Sequence, residues 1–341
     1  MSIEITRRRA LITAAGIGGG AAAAGAMSVP AFADPARESS QSSDIHLVDL
    51  GEPVHKTQTL SSVITSLPDG TPLGVYIGAG NTSTNAELNV TNLRTQEAVL
   101  QTRLPYGVGT QRAIDVSPHD GAVYFGMSSE QGHLYRYIPG AEDVEHLGQA
   151  PADETVWGLG VGDDGTVWFG TYPGGRLFSL DPEHLEIVDH GRAKEGEQYI
   201  SSILPIEDVV YVGTQQEGFL VSYSIESGEF TELEMPESDT ATGVAAIEIR
   251  GDLLFMSSNG IHVRDLATGD WVDHLAGASA RVSPVSPVDS DAVYARVDGS
   301  VQRYDLRTRE LSATGWGPNA TAESWTWIDY DGTGPFLALT Y

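Results

Sequence analysis

His133 and Arg176 are the residues whose types and spacing most directly suggest chemistry. They occupy equivalent positions in two similar stretches, 131–134 (QGHL) and 174–177 (GGRL). A histidine exchanges a proton near neutral pH, and a guanidinium neutralises a carboxylate. These are the functions that β-elimination on a uronic acid needs, because a cation acidifies the C–H beside the carboxylate and a base removes the proton. The roles expected are a base or acid from His133, carboxylate neutralisation from Arg176 and Arg112, and assistance from Tyr172 or Tyr199.

A second set of residues could bind a ligand without reacting with it. Arginine presents a planar fork of donors that suits a carboxylate, and an aromatic ring offers a flat apolar surface to the C–H face of a sugar. We expect a pocket for an anionic carbohydrate formed by Arg112, Arg281, Arg296, Trp157, Trp325, Gln111 and Gln215. The alternative is structural: the arginines pair with neighbouring acids and the rings pack between repeats. Hydrolysis by paired carboxylates, Glu130 with Glu217, is a further option.

Composition excludes several classes of site. The chain has 341 residues, no cysteine, 9 histidines and a formal net charge of −28. Disulfides, thiolate metal sites and thiol nucleophiles are therefore excluded, and so acidic a chain is not expected to bind nucleic acid. The histidines lack HExxH spacing and no G-x-S-x-G motif occurs, so we expect neither a metal site nor a serine nucleophile.

The N-terminus resembles a twin-arginine export signal. Three arginines at 7–9 precede a weakly apolar stretch at 10–29, and the small residues at 31–33 (AFA) suit a signal peptidase. We expect cleavage after Ala33, a flexible linker at 34–43, and a secreted or extracytoplasmic protein without stable membrane insertion. An uncleaved N-terminal anchor is the alternative.

The elements that must position the candidate residues recur along the chain. An apolar strand pattern begins at 75, 123, 167, 210, 254, 293 and 336, at intervals of about 39 to 48 residues, the spacing of four-stranded propeller blades. Asp-Gly or Gly-Asp turns precede most copies, and such turns between apolar runs indicate hairpins. Two further strand patterns follow, so each repeat reads as four strands, a to d, without helical periodicity.

Seven copies of strand b predict an all-β fold, a seven-bladed β-propeller of four-stranded antiparallel blades across 44–341. Segment 45–54 matches strand d and precedes the first complete repeat, so we expect it to close the last blade. That blade has strand patterns at 324–330 and 335–341 but no c strand, so it is incomplete at the C-terminus. The b–c and d–a loops should share one face around the central channel. That face should carry the residues above, together with Asn81, Asn85, Tyr106, Gln198 and Asn259.

The repeat resembles the broad group of seven-bladed propellers that have YVTN, WD40-like and quinoprotein-like repeats. The copies that carry the resemblance are 123–148 and 167–191, and 265–271 (DLATGDW) is nearest to a quinoprotein repeat. This resemblance implies an architecture and says little about activity. Blade form is also loosely similar to that of secreted polysaccharide lyases and rhamnosidases.

Three functions follow as hypotheses. The first is a monomeric secreted propeller that binds a glycan or another small extracellular ligand without a cofactor. The second is a polysaccharide lyase that cleaves a uronate-containing glycan by β-elimination. The third is a quinoprotein-like oxidoreductase, which leaves PQQ and calcium open as cofactors.

Overall fold

The computed structural model describes residues 59–81, 83–129, 131–236, 243–317 and 324–340. Regular structure in these residues is almost entirely antiparallel β-sheet, with one short 3-10 helix recorded at Pro151–Asp153. The predicted all-β class is therefore confirmed. The predicted export signal, linker and closing strand at 45–54 lie outside the described residues, as does Glu130. None of the described residues belongs to a helix long and apolar enough to cross a lipid bilayer.

The first three sheets each take four consecutive strands of the chain. Sheet 1 comprises β1 (Thr59–Ser66), β2 (Pro72–Gly78), β3 (Glu87–Asn92) and β4 (Glu97–Arg103). Sheet 2 comprises β5 (Ile114–Val116), β6 (Val123–Gly126), β7 (His133–Tyr137) and β8 (Glu145–Gln149). Sheet 3 comprises β9 (Thr155–Val161), β10 (Val167–Tyr172), β11 (Arg176–Asp181) and β12 (Glu186–Arg192).

Three more four-stranded sheets and a two-stranded sheet complete the described chain. Sheet 4 comprises β13 (Tyr199–Ile206), β14 (Val209–Gln215), β15 (Leu220–Ser224) and β16 (Phe230–Leu233). Sheet 5 comprises β17 (Ala246–Arg250), β18 (Leu253–Ser257), β19 (Ile261–Asp265) and β20 (Trp271–Leu275). Sheet 6 comprises β21 (Ala278–Val282), β22 (Ala292–Val297), β23 (Ser300–Asp305) and β24 (Leu311–Trp316), and the last sheet pairs β25 (Ser324–Ile328) with β26 (Phe336–Thr340).

These sheets are the blades of a β-propeller. Six complete four-stranded blades are present among the described residues, and each follows the a-b-c-d order that the repeat predicts. The a–b turns have the predicted chemistry: in sheet 3, Asp164 Oδ1 accepts a hydrogen bond from the Thr166 N–H at 2.9 Å, and Gly165 between them has φ +86°. A side chain at that glycine would be strained, which is why the Asp-Gly pair identifies the hairpin so well.

The hydrophobic core consists of separate clusters, each between two consecutive sheets. Between sheets 1 and 2, for example, Val75 and Leu88 pack with Phe125 and Tyr135, all of them fully buried. A smaller cluster of Leu93, Ile328 and Phe336 joins the last sheet to sheet 1, and another joins it to sheet 6. Burial between sheets rather than within them makes each sheet depend on its neighbours for stability.

Candidate functional site

The loops on which sequence analysis placed the candidate residues lie on one face of the propeller. Strands a and c of each sheet run in one direction and strands b and d run back, because every pair is antiparallel. The b–c and d–a connections therefore emerge on the same side, called here the loop face. Side chains from different repeats meet there even though they are far apart in sequence.

A cleft opens on the loop face between sheets 1 and 2. Its volume is about 420 Å³, and its lining residues are Asn85, Pro105, Tyr106, Gly107, Gln131 and His133. Pro105, Tyr106 and Gly107 follow β4, whereas His133 begins β7. The cleft thus combines a d–a loop with two b–c loops, as the propeller geometry predicts.

The d–a loop that forms the cleft wall is fixed by specific contacts. Asn85 donates from Nδ2 to the carbonyls of Leu104, at 3.0 Å, and Pro105, at 2.7 Å. Gly107 has φ +81°, and a Cβ there would lie 2.4 Å from the Met127 side chain. Glycine is therefore required at this bend both by its backbone angle and by the space available.

An aromatic and imidazole cluster forms one side of the cleft. The rings of Tyr106 and His133 stack with centroids 4.5 Å apart and planes 15° apart, and Tyr106 remains 50% exposed. Behind them, His133 Nδ1 lies 3.0 Å from Nε2 of His146. Partial desolvation lowers the pKa of His146, although the residue is exposed. At this separation one of the two facing nitrogens carries a proton and the other accepts it.

Arg103 supplies positive charge next to this cleft. Its Nη1 donates to the Asn85 carbonyl at 3.5 Å, and its Nη2 lies 3.6 Å from Glu87 Oε2. The side chain is 53% exposed, so this ion pair is loose and open to water. A ligand carboxylate entering the cleft could compete for this guanidinium.

A second aromatic group lies between sheets 3 and 4. Tyr172 and Tyr199 stack with ring centroids 4.1 Å apart, and Trp157 meets Tyr199 edge-on at 5.1 Å. Burial, and then the hydrogen bond with Tyr172, raise the pKa of Tyr199. The Tyr199 phenol is thus a proton donor at neutral pH rather than a base. Gln215 pairs with Tyr199 in the β13–β14 register.

Arg176, equivalent in position to His133, is held by an acid. Its Nε lies 3.1 Å from both carboxylate oxygens of Asp189, and Nη2 lies 2.6 Å from Oδ2. This is the structural ion pair that sequence analysis kept as the alternative. The pair bridges strands β11 and β12, away from the residues that line the cleft.

The other predicted arginines lie in the loop before β5 (Arg112), on β21 (Arg281) and on β22 (Arg296). Arg112 donates from Nη1 to the carbonyl of Ala245 at 3.4 Å, which joins the loop before β5 to the loop before β17. Burial raises the pKa of Asp115 on β5, and the charge of Arg281 on β21 opposes that shift. Arg296 donates to Ser279 Oγ at 3.3 Å. These arginines connect sheets to one another or sit within sheet 6, and the structure does not bring them to the cleft lining.

Two further residues that were predicted to bind a ligand lie outside the cleft lining. Gln111 is exposed, and its backbone carbonyl accepts a hydrogen bond from Ser61 Oγ. Trp325 is only 6% exposed and packs against Tyr294 and Val301 in the cluster between sheet 6 and the last sheet. His133, Asn85 and Tyr106 are thus the predicted residues that the structure gathers in one cleft.

Two residues beside the cleft were missed by sequence reasoning. His146 and Arg103 come from outer strands, which the alignment of loops did not consider. The sequence does contain a signal for His146, because 145–148 (EHLG) and 188–191 (VDHG) are equivalent stretches of two repeats. In this alignment His146 takes the position of Asp189, and His133 takes the position of Arg176. Comparing cross-strand pairs between repeats would have found it.

Comparison with known proteins supports the fold and leaves activity open. No family model matches the chain, and no curated protein matches it in sequence. Among solved structures, a catalytically inactive histidine-to-alanine variant of virginiamycin B lyase from Staphylococcus aureus with quinupristin is 18% identical, with a TM-score of 0.61, covering 84% of this chain and 94% of that one. A streptogramin B lyase is 16% identical, with a TM-score of 0.59, covering 79% and 87%. A computationally designed protein, Ika8, is 13% identical, with a TM-score of 0.54, covering 81% and 92%. At these identities the likeness shows a shared fold.

Proposed function

We propose that this protein is an exported β-propeller that binds a carbohydrate, preferentially an anionic one, in the cleft beside Tyr106 and His133. The observation that carries the proposal is the half-exposed Tyr106 ring. One face of this ring stacks on His133, and the side chains of Asn85 and Gln131 line the same cleft. Sugars are bound by this combination of a flat apolar surface with amide groups. At Asn85 the side chain can offer only its acceptor Oδ1, because Nδ2 already donates to the Leu104 and Pro105 carbonyls.

The preference for an anionic sugar depends on Arg103. In a chain of net charge −28, an anion needs a local cation to overcome the general repulsion. Arg103 is half-exposed, stands next to Asn85 and is only loosely paired with Glu87. Arg176 is not assigned this role, because Asp189 already holds its donor fork.

Calorimetric titration of the mature protein against uronate-containing and neutral oligosaccharides tests the proposal. We expect binding that is lost in Tyr106→Ala, and a preference for the uronate that is lost in Arg103→Gln while neutral sugars bind as before. Arg307→Gln is a matched control, because Arg307 is a similarly exposed arginine loosely paired with Asp291 at 3.7 Å. Absence of binding to every sugar, or equal binding by Tyr106→Ala, contradicts the proposal.

A second candidate function is β-elimination in the same cleft, favoured by the His133–His146 pair. His133 would remove the proton next to the sugar carboxylate, and Arg103 would neutralise that carboxylate. The C–O bond on the next carbon would then break, the leaving oxygen would take a proton from water, and an unsaturated sugar would remain. Two structural neighbours bear the name lyase, which supports testing this chemistry. The test is a rise in ultraviolet absorbance with uronate-containing polysaccharides, with quinupristin as a separate substrate. If no substrate yields a product, this candidate function is excluded, and the binding proposal is unaffected.

The last sheet is proposed to be the inner half of a seventh blade. Its strand β25 contacts both β21 and β1, and Thr340 Oγ1 donates to the Ser62 carbonyl at 3.1 Å. Arg94 Nη2 also donates to the Asp329 carbonyl at 2.8 Å. With segment 45–54 as an outer strand, this sheet would close a seven-bladed ring. Cross-linking of cysteines introduced at positions 48 and 338 tests that segment's place, and no cross-link at any spacing along it contradicts the proposal.

Export is proposed from the N-terminal sequence alone. The expected result is a monomer outside the cytoplasm whose first residue is Asp34, after cleavage behind Ala33. Mass analysis of the secreted protein and size-exclusion chromatography check both statements. A cell-associated protein that retains its N-terminus contradicts them.

A further inference from the structure

The aromatic group between sheets 3 and 4 has the same arrangement of rings as the cleft beside Tyr106. Tyr172 and Tyr199 stack with planes 16° apart, and Tyr106 and His133 stack with planes 15° apart. In each stack one ring comes from a d–a connection and the other from a b–c connection of the loop face. Tyr172 and Tyr199 are both partly exposed. A partly exposed ring that is supported by a second ring presents a rigid flat surface to the C–H face of a sugar.

Trp157 extends this surface from the side. The register of β9 and β10 shifts between Gly170 and Thr171, and Trp157 is the extra residue of that β-bulge. A bulge turns a side chain away from the regular alternation of a strand. The partly exposed indole meets the Tyr199 ring edge-on, with centroids 5.1 Å apart. Trp157, Tyr172 and Tyr199 are called here the second platform.

Arg192 gives the second platform a cation, as Arg103 does for the cleft. Each of these arginines is the last residue of an outer strand and pairs with the first residue of strand c, which is Arg176 in sheet 3 and Glu87 in sheet 1. Arg192 therefore faces no acid across the strands. It is exposed, its Nη1 donates to the carbonyl of Glu197 at 2.9 Å, and none of the ion pairs among the described residues includes it. A guanidinium has five N–H donors, so others remain for a ligand carboxylate.

The cleft and the second platform are neighbours on the loop face, on either side of the loop between β8 and β9. Glu154 in that loop contacts both sides. Its carbonyl accepts a hydrogen bond at 3.0 Å from the N–H of Gly132, the residue before His133 of the cleft. Its buried carboxylate accepts one from Oγ1 of Thr171, the residue before Tyr172 of the platform. An extended chain of sugars can therefore reach from one stack to the other across a single loop.

A separate buried cluster packs sheets 3 and 4 against each other. It includes Trp168 and Tyr223, which are 4% and 5% exposed, and it includes none of the three rings of the second platform. The platform rings thus lie at the surface beside a core that is formed by other side chains. Aromatic rings in such a position are available to a ligand.

We propose that the second platform and Arg192 form a second subsite for an anionic carbohydrate, so that the ligand is an oligosaccharide with at least two uronate units. The inference rests on the proposed function in one respect, because the first subsite is the cleft beside Tyr106. A chain that reaches both subsites binds more tightly than one that reaches either alone, since the second contact forms within the same complex. The affinity should therefore depend on chain length as well as on charge.

Calorimetric titration of the protein with oligogalacturonates of increasing length, from the disaccharide to the octasaccharide, tests the inference. We expect the affinity of the unaltered protein to rise on the order of a hundredfold once the chain reaches both subsites. Tyr199→Leu and Arg192→Gln should each remove this rise and leave the affinity for the disaccharide in the cleft unchanged.

Two further variants are the controls. Tyr199→Phe keeps the ring and should retain the dependence on chain length, which separates loss of the platform from a general disturbance of folding. Arg309→Gln should also retain it, because Arg309 is an exposed arginine in the turn between β23 and β24, on the opposite face, and is loosely paired with Asp265 at 3.5 Å. The melting temperature of each variant checks its folding.

Affinity that is independent of chain length, or a length dependence that persists in both Tyr199→Leu and Arg192→Gln, overturns the inference and leaves the proposed function intact. Binding that is lost in Tyr199→Leu but kept in Tyr106→Ala supports the second subsite and contradicts the proposed cleft. Absence of binding at every chain length contradicts both proposals.

Discussion

The hydroxyl of Tyr135 holds both backbone polar groups of Tyr106: it accepts a hydrogen bond from the Tyr106 N–H at 3.1 Å and donates one to the Tyr106 carbonyl at 3.0 Å. Tyr135 lies on β7 of sheet 2, whereas Tyr106 follows β4 of sheet 1. A fully buried phenol of one blade thereby sets the position of a cleft-lining ring that belongs to its neighbour.

Tyr135→Phe should therefore weaken both folding and carbohydrate binding. The substitution keeps the ring but leaves the N–H and C=O of Tyr106 without this partner, which costs about 1–3 kcal/mol of unfolding free energy. The loop should then move, and the dissociation constant of a bound oligosaccharide should rise several-fold. Urea unfolding and calorimetric titration measure the two effects.

Tyr137→Phe is the matched control for that change. Tyr137 is equally buried on the same strand, but its hydroxyl accepts from the Gly140 N–H at 3.2 Å in the turn to β8. We expect a similar loss of stability with unchanged binding. Equal effects of the two substitutions on binding would show that the anchoring of Tyr106 is irrelevant to the cleft.

Acid should destabilise the protein through partly buried histidines whose pKa is lowered, of which His190 is the clearest. Its two ring nitrogens lie 2.8 Å from Ser179 Oγ and 2.8 Å from the Tyr223 hydroxyl, and burial lowers its pKa. Below about pH 6.5 the unfolded chain takes up a proton that the folded His190 resists, so stability falls as pH falls. Urea unfolding at pH values on both sides of that point should show a smaller acid loss in His190→Gln than in the unaltered protein.

His184 gives the opposite sign and serves as the comparison. The Asp181 carboxylate raises the pKa of this exposed histidine, so its contribution to stability is present at acid pH and is lost as pH rises through the folded-state pKa. His184→Gln should make the acid loss slightly larger. If both glutamine substitutions change the pH dependence in the same direction, this assignment of the histidines is wrong.

Glu197 should be important for the b–c loop of sheet 4. The residue is 2% exposed, and its carboxylate oxygens accept from the N–H groups of Glu217, at 3.0 Å, and Gly218, at 3.4 Å. In Glu197→Gln an amide NH2 must face one of these donors, which should cost about 1–3 kcal/mol. Denaturant unfolding measures the loss, and Glu195→Gln at a neighbouring exposed position should have none. Equal stability of the two variants contradicts a loop-holding role.

Arg176→Ala should leave the ligand preference unchanged. The partly exposed pair with Asp189 contributes about 0.2–1 kcal/mol to stability, after allowance for solvent screening. Because the guanidinium is already engaged, its removal should not alter the ratio of affinities for uronate-containing and neutral sugars. A large loss of uronate binding in the same titrations would return Arg176 to the binding site and would displace Arg103 from that role.

The blades could be predicted because each repeat carries the same turn residues and the same apolar strand pattern. Pairs such as Asp164-Gly165 define the hairpins, and the strands at 123–126 and 167–172 fall where the apolar pattern placed them. The number of blades was harder to predict, because it depends on how the last sheet contacts the first. That contact includes the hydrogen bond between Thr340 and Ser62, and no sequence motif relates these two residues.

The candidate site was predictable only where it lies on loops. Aligning the repeats placed Tyr106, Asn85 and His133 on one face, and the structure brings them to one cleft. The same alignment grouped Trp325 with them, although its position on β25 buries it in the core. Whether a side chain on a first strand points toward the loop face or between sheets depends on register and on the β-bulges, and neither can be obtained from spacing alone.

The bond between Thr340 and the Ser62 carbonyl has a consequence for biogenesis. Each sheet forms from one uninterrupted stretch, and each after the first packs on the sheet made just before it, so assembly can follow the order of synthesis. Joining the last sheet to the first closes the longest loop, so it has the largest loop-closure entropy and should come last. Until then Leu93 and its neighbours face water. A chain interrupted before residue 324 would thus be a proteolysis target with nearly all of its sheets already built.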